Sequence, residues 1–129
     1  MSVLLRPTWP KSHQILALAF ATALAGAIRA VGGISPLLKW PNDLVVQSRK
    51  IAGILAEASY DGSKLNHLVV GIGVNANIKT TLFPEELQGS VTSINREIGR
   101  EVDRILLTQR ILEETDDAYL RFESGQGCE

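Results

Sequence analysis

The stretch 37–76 constrains the fold most, because it sets several apolar, extended runs one after another with only short polar turns between them. Strands are predicted over about 37–40, 44–46, 51–60 and 65–76. Pro41 fixes its own φ and pushes Trp40 towards an extended conformation, so the first of these strands ends there. Asn42 and Asp43 suit the turn that follows, and Gln47, Ser48, Arg49 and Lys50 form a second polar turn. Asp61-Gly62 is a strong turn signal, and it predicts an antiparallel hairpin with a loop of about four residues. Hairpins without intervening helices argue for an antiparallel or mixed sheet rather than a βαβ array.

Two helices complete the prediction. Ser12 is a candidate N-cap for a helix over 12–31, stopped by Gly32-Gly33. Its alanines, with Ile15, Leu16, Leu18, Phe20, Leu24 and Ile28, leave few polar positions, as for a helix packed on most sides across a sheet. At ~1.5 Å per residue its strongly apolar part is too short for a ~30 Å hydrocarbon core, so it reads as a buried helix. A second helix over 103–122 places Leu107, Ile111, Ala118 and Phe122 on one face, with Leu112 and Tyr119 beside it. Glu113, Glu114, Asp116 and Asp117 lie opposite and read as a solvated face rather than a metal site. A short strand at 2–6 must pair with something later in the chain. Residues 78–89 are irregular, 91–98 are ambiguous, and 124–129 are expected to be disordered. The expected fold is α+β, in one domain over 1–123.

Composition narrows the function classes. With 45% apolar and 21% charged residues the chain is an ordinary globular one. Its net charge of −1, with no basic run, gives no general attraction to nucleic acid. The single Cys128 excludes an internal disulfide. No secretory signal is evident, so a cytoplasmic, non-membrane protein is expected.

The chemistry concentrates in 39–55, KWPNDLVVQSRKIAGIL. If the flanking strands pair, Lys39, Asp43 and Lys50 come within reach of one another. Two cations and one carboxylate suit a phosphate or carboxylate ligand together with a metal. Arg49 reads as a surface charge. GIGVNA at 71–76 fits G-x-G-x-x-(G/A), but the NIKTTLFP that follows is a poor helix, so a nicotinamide-type loop is disfavoured. Glycines that let a ligand approach a central strand fit better, as do glycines that accommodate the Ala-rich helix. Asn75 offers an amide donor and acceptor suited to a purine edge.

KWPND followed by K-x-A-G-I-L, with GIGVNAN at 71–77, closely resembles the signature of the biotin protein ligases (biotin–[acetyl-CoA-carboxylase] ligases). The resemblance runs from about residue 2 to about residue 122. It implies a fold shared with lipoate ligases and class II aminoacyl-tRNA synthetases. It also implies a reaction in which biotin and ATP give biotinyl-5′-AMP, followed by transfer to a lysine of a biotin carboxyl carrier protein.

By this resemblance Lys50 contacts the biotin carboxylate and adenylate phosphate as the catalytic residue. Gly53, Gly71 and Gly73 line the substrate. Lys39, Asn42, Asp43 and Asn75 bind ATP, and Asp43 helps to hold Mg²⁺. Relatives carry a ring-binding Ser/Thr and Gln, and a GRGR-type loop, upstream of the segment matching SVLLRP; most also end in a small β-barrel-like domain. Lacking these, the chain is expected to bind biotin weakly, to label carrier protein poorly, and to associate as a homodimer or aggregate. Two rivals stand beside this reading: a lipoate- or octanoate-transferring relative, and a non-catalytic remnant that binds a partner.

Overall fold

The computed structural model describes residues 1–8 and 13–125. The expected N-cap Ser12 and most of the expected disordered tail lie outside these residues. Five strands form one antiparallel sheet in the order β1-β5-β4-β3-β2. They are β1 (Ser2–Leu5), β2 (Leu37–Lys39), β3 (Asp43–Val46), β4 (Arg49–Asp61) and β5 (Lys64–Val74). The helices are α1 (His13–Gly32), α2 (Ile94–Ile98) and α3 (Arg104–Glu123), with two short 3₁₀ turns at Thr80–Leu82 and Glu85–Leu87. The α+β expectation holds, and "antiparallel or mixed" resolves to antiparallel strands plus an isolated parallel bridge between Lys50 and Val91. The N-terminal strand finds its partner in β5, with Ser2 opposite Gly71.

Both predicted hairpins form with tighter turns than expected. Asp61 pairs with Lys64, leaving two residues in the loop rather than four. Val46 pairs with Arg49, so only Gln47 and Ser48 turn the chain, both at positive φ (50° and 65°). That backbone matches the right-handed twist of the flanking strands but is unfavourable for residues with a Cβ.

One face of the sheet is closed. Leu68, Val70 and Ile72 of β5, and Ala52 and Ile54 of β4, meet Leu16, Phe20, Leu24 and Ile28 of α1 in one core. α3 adds Leu107, Ile111 and Phe122 to it. Each such large side chain contributes about 1.5–3 kcal/mol on burial. α1 is long and apolar enough to cross a membrane by length and composition alone, and half of it is buried against sheet and α3. It is not packed on most sides, as its composition suggested: Gln14, Ile15, Thr22, Arg29 and Ala30 are exposed. Alanines make a helix apolar without requiring that every face be covered.

α3 starts where the sequence indicated, with Asp103 Oδ1 accepting from the N–H groups of Ile105 (2.9 Å) and Leu106 (3.1 Å). Its acidic residues face solvent or pair along the helix, as Glu114 does with Arg110 and Asp117 with Arg121. Among the described residues no group of three acidic, His or Cys side chains could hold a metal. Leu112, expected beside the buried stripe, is 47% exposed.

At the far end of α3, Glu123 accepts hydrogen bonds from the Thr8 hydroxyl and, at 3.1 Å, from the Thr8 N–H. The Thr8 hydroxyl chiefly holds the Glu123 carboxyl below the usual carboxylate range, with smaller help from the Thr8 N–H and Tyr119. Tyr119 is pushed up to about 12 by burial and then by the neighbouring Glu123. The signs follow by linkage. The Glu123 contribution is complete above the ordinary Glu value and is lost as pH falls through the lowered one. The Tyr119 contribution is present below the ordinary phenol value and is lost as pH rises through about 12. Protection of the Thr8 amide, measured against its intrinsic exchange rate at each pH, is therefore expected to fall on acidification before the core opens. Phenolate absorbance should show one tyrosine titrating near 12. A Thr8 amide indifferent to acid would refute the tether.

Candidate active site

The residues singled out in the sequence lie on the other face of the sheet. Strand register sets Lys39 opposite Asp43, Asp43 opposite Gly53, and Gly53 opposite Gly73, a row across β2, β3, β4 and β5. Leu44 and its partner Ala52, one residue away, point into the core at 1% and 2% exposure, so the row faces away from the helices. Leu55 opposite Gly71 continues that open face.

Lys50 reaches the same face through an irregularity. Between Leu44 and Val45 the register slips: Leu44 pairs with Ala52, but Val45 pairs with Lys50. Ile51 is thus the extra residue of a bulge, and it is fully buried. In a regular strand Lys50 and Ala52 would share the core face, and Lys50 and Gly53 would lie on opposite faces. The bulge turns Lys50 over, which is a recognised use of such insertions beside functional sites. Its ammonium then lies 3.1 Å from Asp43 Oδ1. A Cβ added to Gly53 would stand 3.0 Å from both Cε and Nζ of Lys50 and 3.3 Å from Asp43 Oδ1. The absence of a side chain at Gly53 is what gives the ion pair room to lie over β4.

Lys39, Asn42, Asp43, Lys50, Gly53, Gly71, Gly73 and Asn75 all line one open groove of about 1030 Å³. Among the described residues its charged lining side chains are two lysines and one aspartate, an excess of positive charge suited to an anionic ligand. Gly73 has nothing within 4 Å of the place its Cβ would occupy, so the groove floor there is bare backbone. The Asn42 carbonyl accepts from Ile54 N–H at 2.9 Å, which fixes the turn against β4, and the Trp40–Pro41 peptide bond is cis.

Asn75 is placed differently from a residue that simply faces a ligand. Its Nδ2 donates to the Thr92 carbonyl at 3.0 Å and lies 3.5 Å from the Lys50 carbonyl. Its amide therefore ties the end of β5 to the segment 90–92 while Asn75 still lines the groove. That segment, with Phe83, Leu87, Ser90 and Val91, forms a groove wall that the sequence pattern did not identify. Two 3₁₀ turns and an isolated bridge carry no periodicity, so only the proximity of Val91 to Lys50 could have pointed to it. Arg49, read as a surface charge, is instead partly buried and ion-paired with Glu97 at 3.1 Å.

A glycine-floored groove on the open face of an antiparallel sheet, with lysines at its rim, defines the class. Residues 2–75 match the sequence profile of the Biotin/lipoate A/B protein ligase family, and the chain belongs to that family. Within it the similarity is to biotin ligases. The bifunctional ligase/repressor BirA of Bacillus spizizenii is 38% identical over 114 residues, which is 87% of this chain and 35% of that protein. The biotin–[acetyl-CoA-carboxylase] ligase of Mycobacterium tuberculosis is 30% identical over 112 residues, 80% of this chain and 39% of that protein. The solved structure of biotin protein ligase from Aquifex aeolicus in complex with biotin and ATP superposes with a TM-score of 0.85 at 28% identity. That match covers 98% of this chain and 51% of the other. The chain thus spans little more than a third of the curated relatives it matches and about half of the solved one.

Proposed function

We propose that this groove is the adenylate site of a biotin protein ligase, in which the biotin carboxylate is activated by ATP to biotinyl-5′-AMP and then passed to a lysine of a biotin carboxyl carrier protein. One observation carries the reading: the Lys50 ammonium is held over bare backbone at Gly53, on the open face, beside the carboxylate of Asp43. In the reaction a carboxylate oxygen attacks the α-phosphorus and pyrophosphate leaves. Negative charge accumulates on the phosphoryl oxygens between the two. A positioned ammonium stabilises that charge without having to transfer a proton. Lys39 adds a second cation towards the phosphates, Gly53 leaves room for the Lys50–Asp43 pair, and Gly71 and Gly73 let the ligand lie against the strands. Asn75 offers the adenine an amide that its bond to Thr92 holds in place.

A Mg²⁺ ion fits this set in a limited way. Among the described residues Asp43 is the one carboxylate lining the groove, so the ion would take most of its ligands from ATP phosphates and water, as Mg²⁺ commonly does. When bound it would neutralise phosphate charge.

The discriminating experiment is titration of the purified chain with biotinyl-5′-AMP and with lipoyl-5′-AMP, followed calorimetrically. Tighter binding of the biotinyl ligand by about ten-fold or more is expected, a margin of ~1.4 kcal/mol. Preference for the lipoyl ligand would transfer the chain to the lipoate branch of its family. Binding of neither would favour a non-catalytic, partner-binding role.

A further inference from the structure

We infer that Glu97 is a positioning residue for Lys50, acting through Arg49 and Thr92. The inference builds on the role proposed for Lys50. β5 ends opposite Ala52, and after one more bond, from Asn75 N–H to the Ile51 carbonyl at 2.9 Å, β4 loses its neighbour on that side at Lys50. The segment 90–92 takes over: Lys50 N–H donates to the Ser90 carbonyl at 2.9 Å, and Thr92 N–H donates to the Lys50 carbonyl at 2.9 Å. Both backbone groups of Lys50 are therefore held by a segment with no regular ladder of its own. Lys50 also lies between the bulge at Ile51 and the Gln47-Ser48 turn, whose residues both have positive φ.

Glu97 secures that segment from both sides. Its Oε1 accepts from Arg49 Nη2 at 3.1 Å and from the Thr92 hydroxyl at 2.5 Å. Arg49 immediately precedes Lys50, and Thr92 immediately follows its bridge partner Val91. One carboxylate thus clamps the two chains that flank the bridge. The same Arg49 nitrogen lies 3.3 Å from Gln47 Oε1, which reaches into the tight turn. Thr92 is fully buried, and the Glu97 and Arg49 side chains are 13% and 24% exposed. Arg49 Nε is buried without a hydrogen-bond partner among the described residues, so the guanidinium depends on its Nη2 contacts. Glu97 itself is carried by α2, whose first N–H groups, from Ile94 and Asn95, donate to the Asn75 and Ala76 carbonyls at 2.9 Å. The clamp consequently refers Lys50 to the end of β5.

A lysine side chain is a flexible stem, so its head is placed only as well as its backbone and immediate contacts are fixed. Without the clamp the Lys50 backbone would keep β3 on one side and a loose loop on the other. The ammonium would then sample positions away from Gly53 and Asp43.

The test compares the parent chain with Glu97→Gln, Arg49→Met and the double variant. Glu97→Gln keeps shape and acceptor while removing charge, so folding should survive it. Residue-resolved amide exchange is expected to quicken about ten-fold at Lys50 and Thr92 with Val70 and Ile54 unchanged, as for local rather than global opening. Affinity for biotinyl-5′-AMP should fall about ten-fold, and the double variant should be no weaker than Arg49→Met alone, because both changes break one interaction. Exchange that quickens uniformly, or not at all at Lys50, would overturn the inference. So would faster exchange at Lys50 with unchanged affinity in a chain that binds the probe. A parent chain that binds no adenylate defeats the proposed activity instead; the clamp is then judged on the Lys50 amide alone, and a selective ten-fold change there sustains it.

Discussion

Replacing Lys50 with alanine in a full-length context is expected to slow biotin adenylation about 100- to 1,000-fold while leaving the sheet and its core in place. The two halves of this expectation have separate physical origins. In the proposed role, the rate falls because a single ammonium serves both the carboxylate and the phosphate, and charge develops between them only in the transition state. The fold survives because the Lys50 side chain is 48% exposed and is not part of the hydrophobic core. Its ion pair with Asp43 is half-solvated, and such pairs are worth about 0–1 kcal/mol. The backbone bonds to Ser90 and Thr92 do not depend on the side chain and persist in the variant. Biotin-dependent pyrophosphate release and a thermal melt measure the two quantities. A rate within a few-fold of the parent would remove Lys50 from the chemistry. Unfolding would show its stem to be structural.

Gly53→Ala and Gly73→Ala are expected to weaken adenylate binding by different routes, about 10- to 100-fold for Gly53→Ala if the charged hydrogen bond is lost outright. At Gly53 the new methyl meets the end of the Lys50 side chain and Asp43 Oδ1. These are mobile ends, so the protein accommodates the methyl by moving the ammonium, and stability changes by about 1 kcal/mol or less. At Gly73 the methyl meets no protein atom within 4 Å, so the unliganded chain should melt as the parent does. The loss there appears only when a ligand has to lie on the strand. Adding Lys50→Ala separates the two. The double variant with Gly53→Ala should bind no worse than Lys50→Ala alone, whereas Gly73→Ala should lower affinity further. Additive losses at Gly53 would show that the ligand, not Lys50, occupies the space above it.

Sequence alone determined the strands, the hairpins and the extents of the two long helices, because these rest on local pattern: apolar runs, Asp-Gly and Asn-Asp turns, an amphipathic stripe over 103–122 and a closing Gly32-Gly33. It also singled out eight of the residues that line the groove, though their assembly rested on one condition, that the flanking strands pair. The antiparallel register met that condition by setting Lys39, Asp43, Gly53 and Gly73 in one row. Tertiary structure decided which way Lys50 faces. Period-two reasoning places Lys50 and Gly53 on opposite faces, and only the pairing with β3 shows that Ile51 is an extra residue that turns Lys50 over. It also decided the fate of Arg49, which is charged and sits beside a turn, features that locally indicate solvent; its partner Glu97 is 48 residues away. The groove wall at 83–91 was illegible for the same reason, since an irregular segment has no period and gains its meaning from what it lies against. Local pattern fixes what each segment becomes, whereas register and burial between distant segments fix which side chains meet.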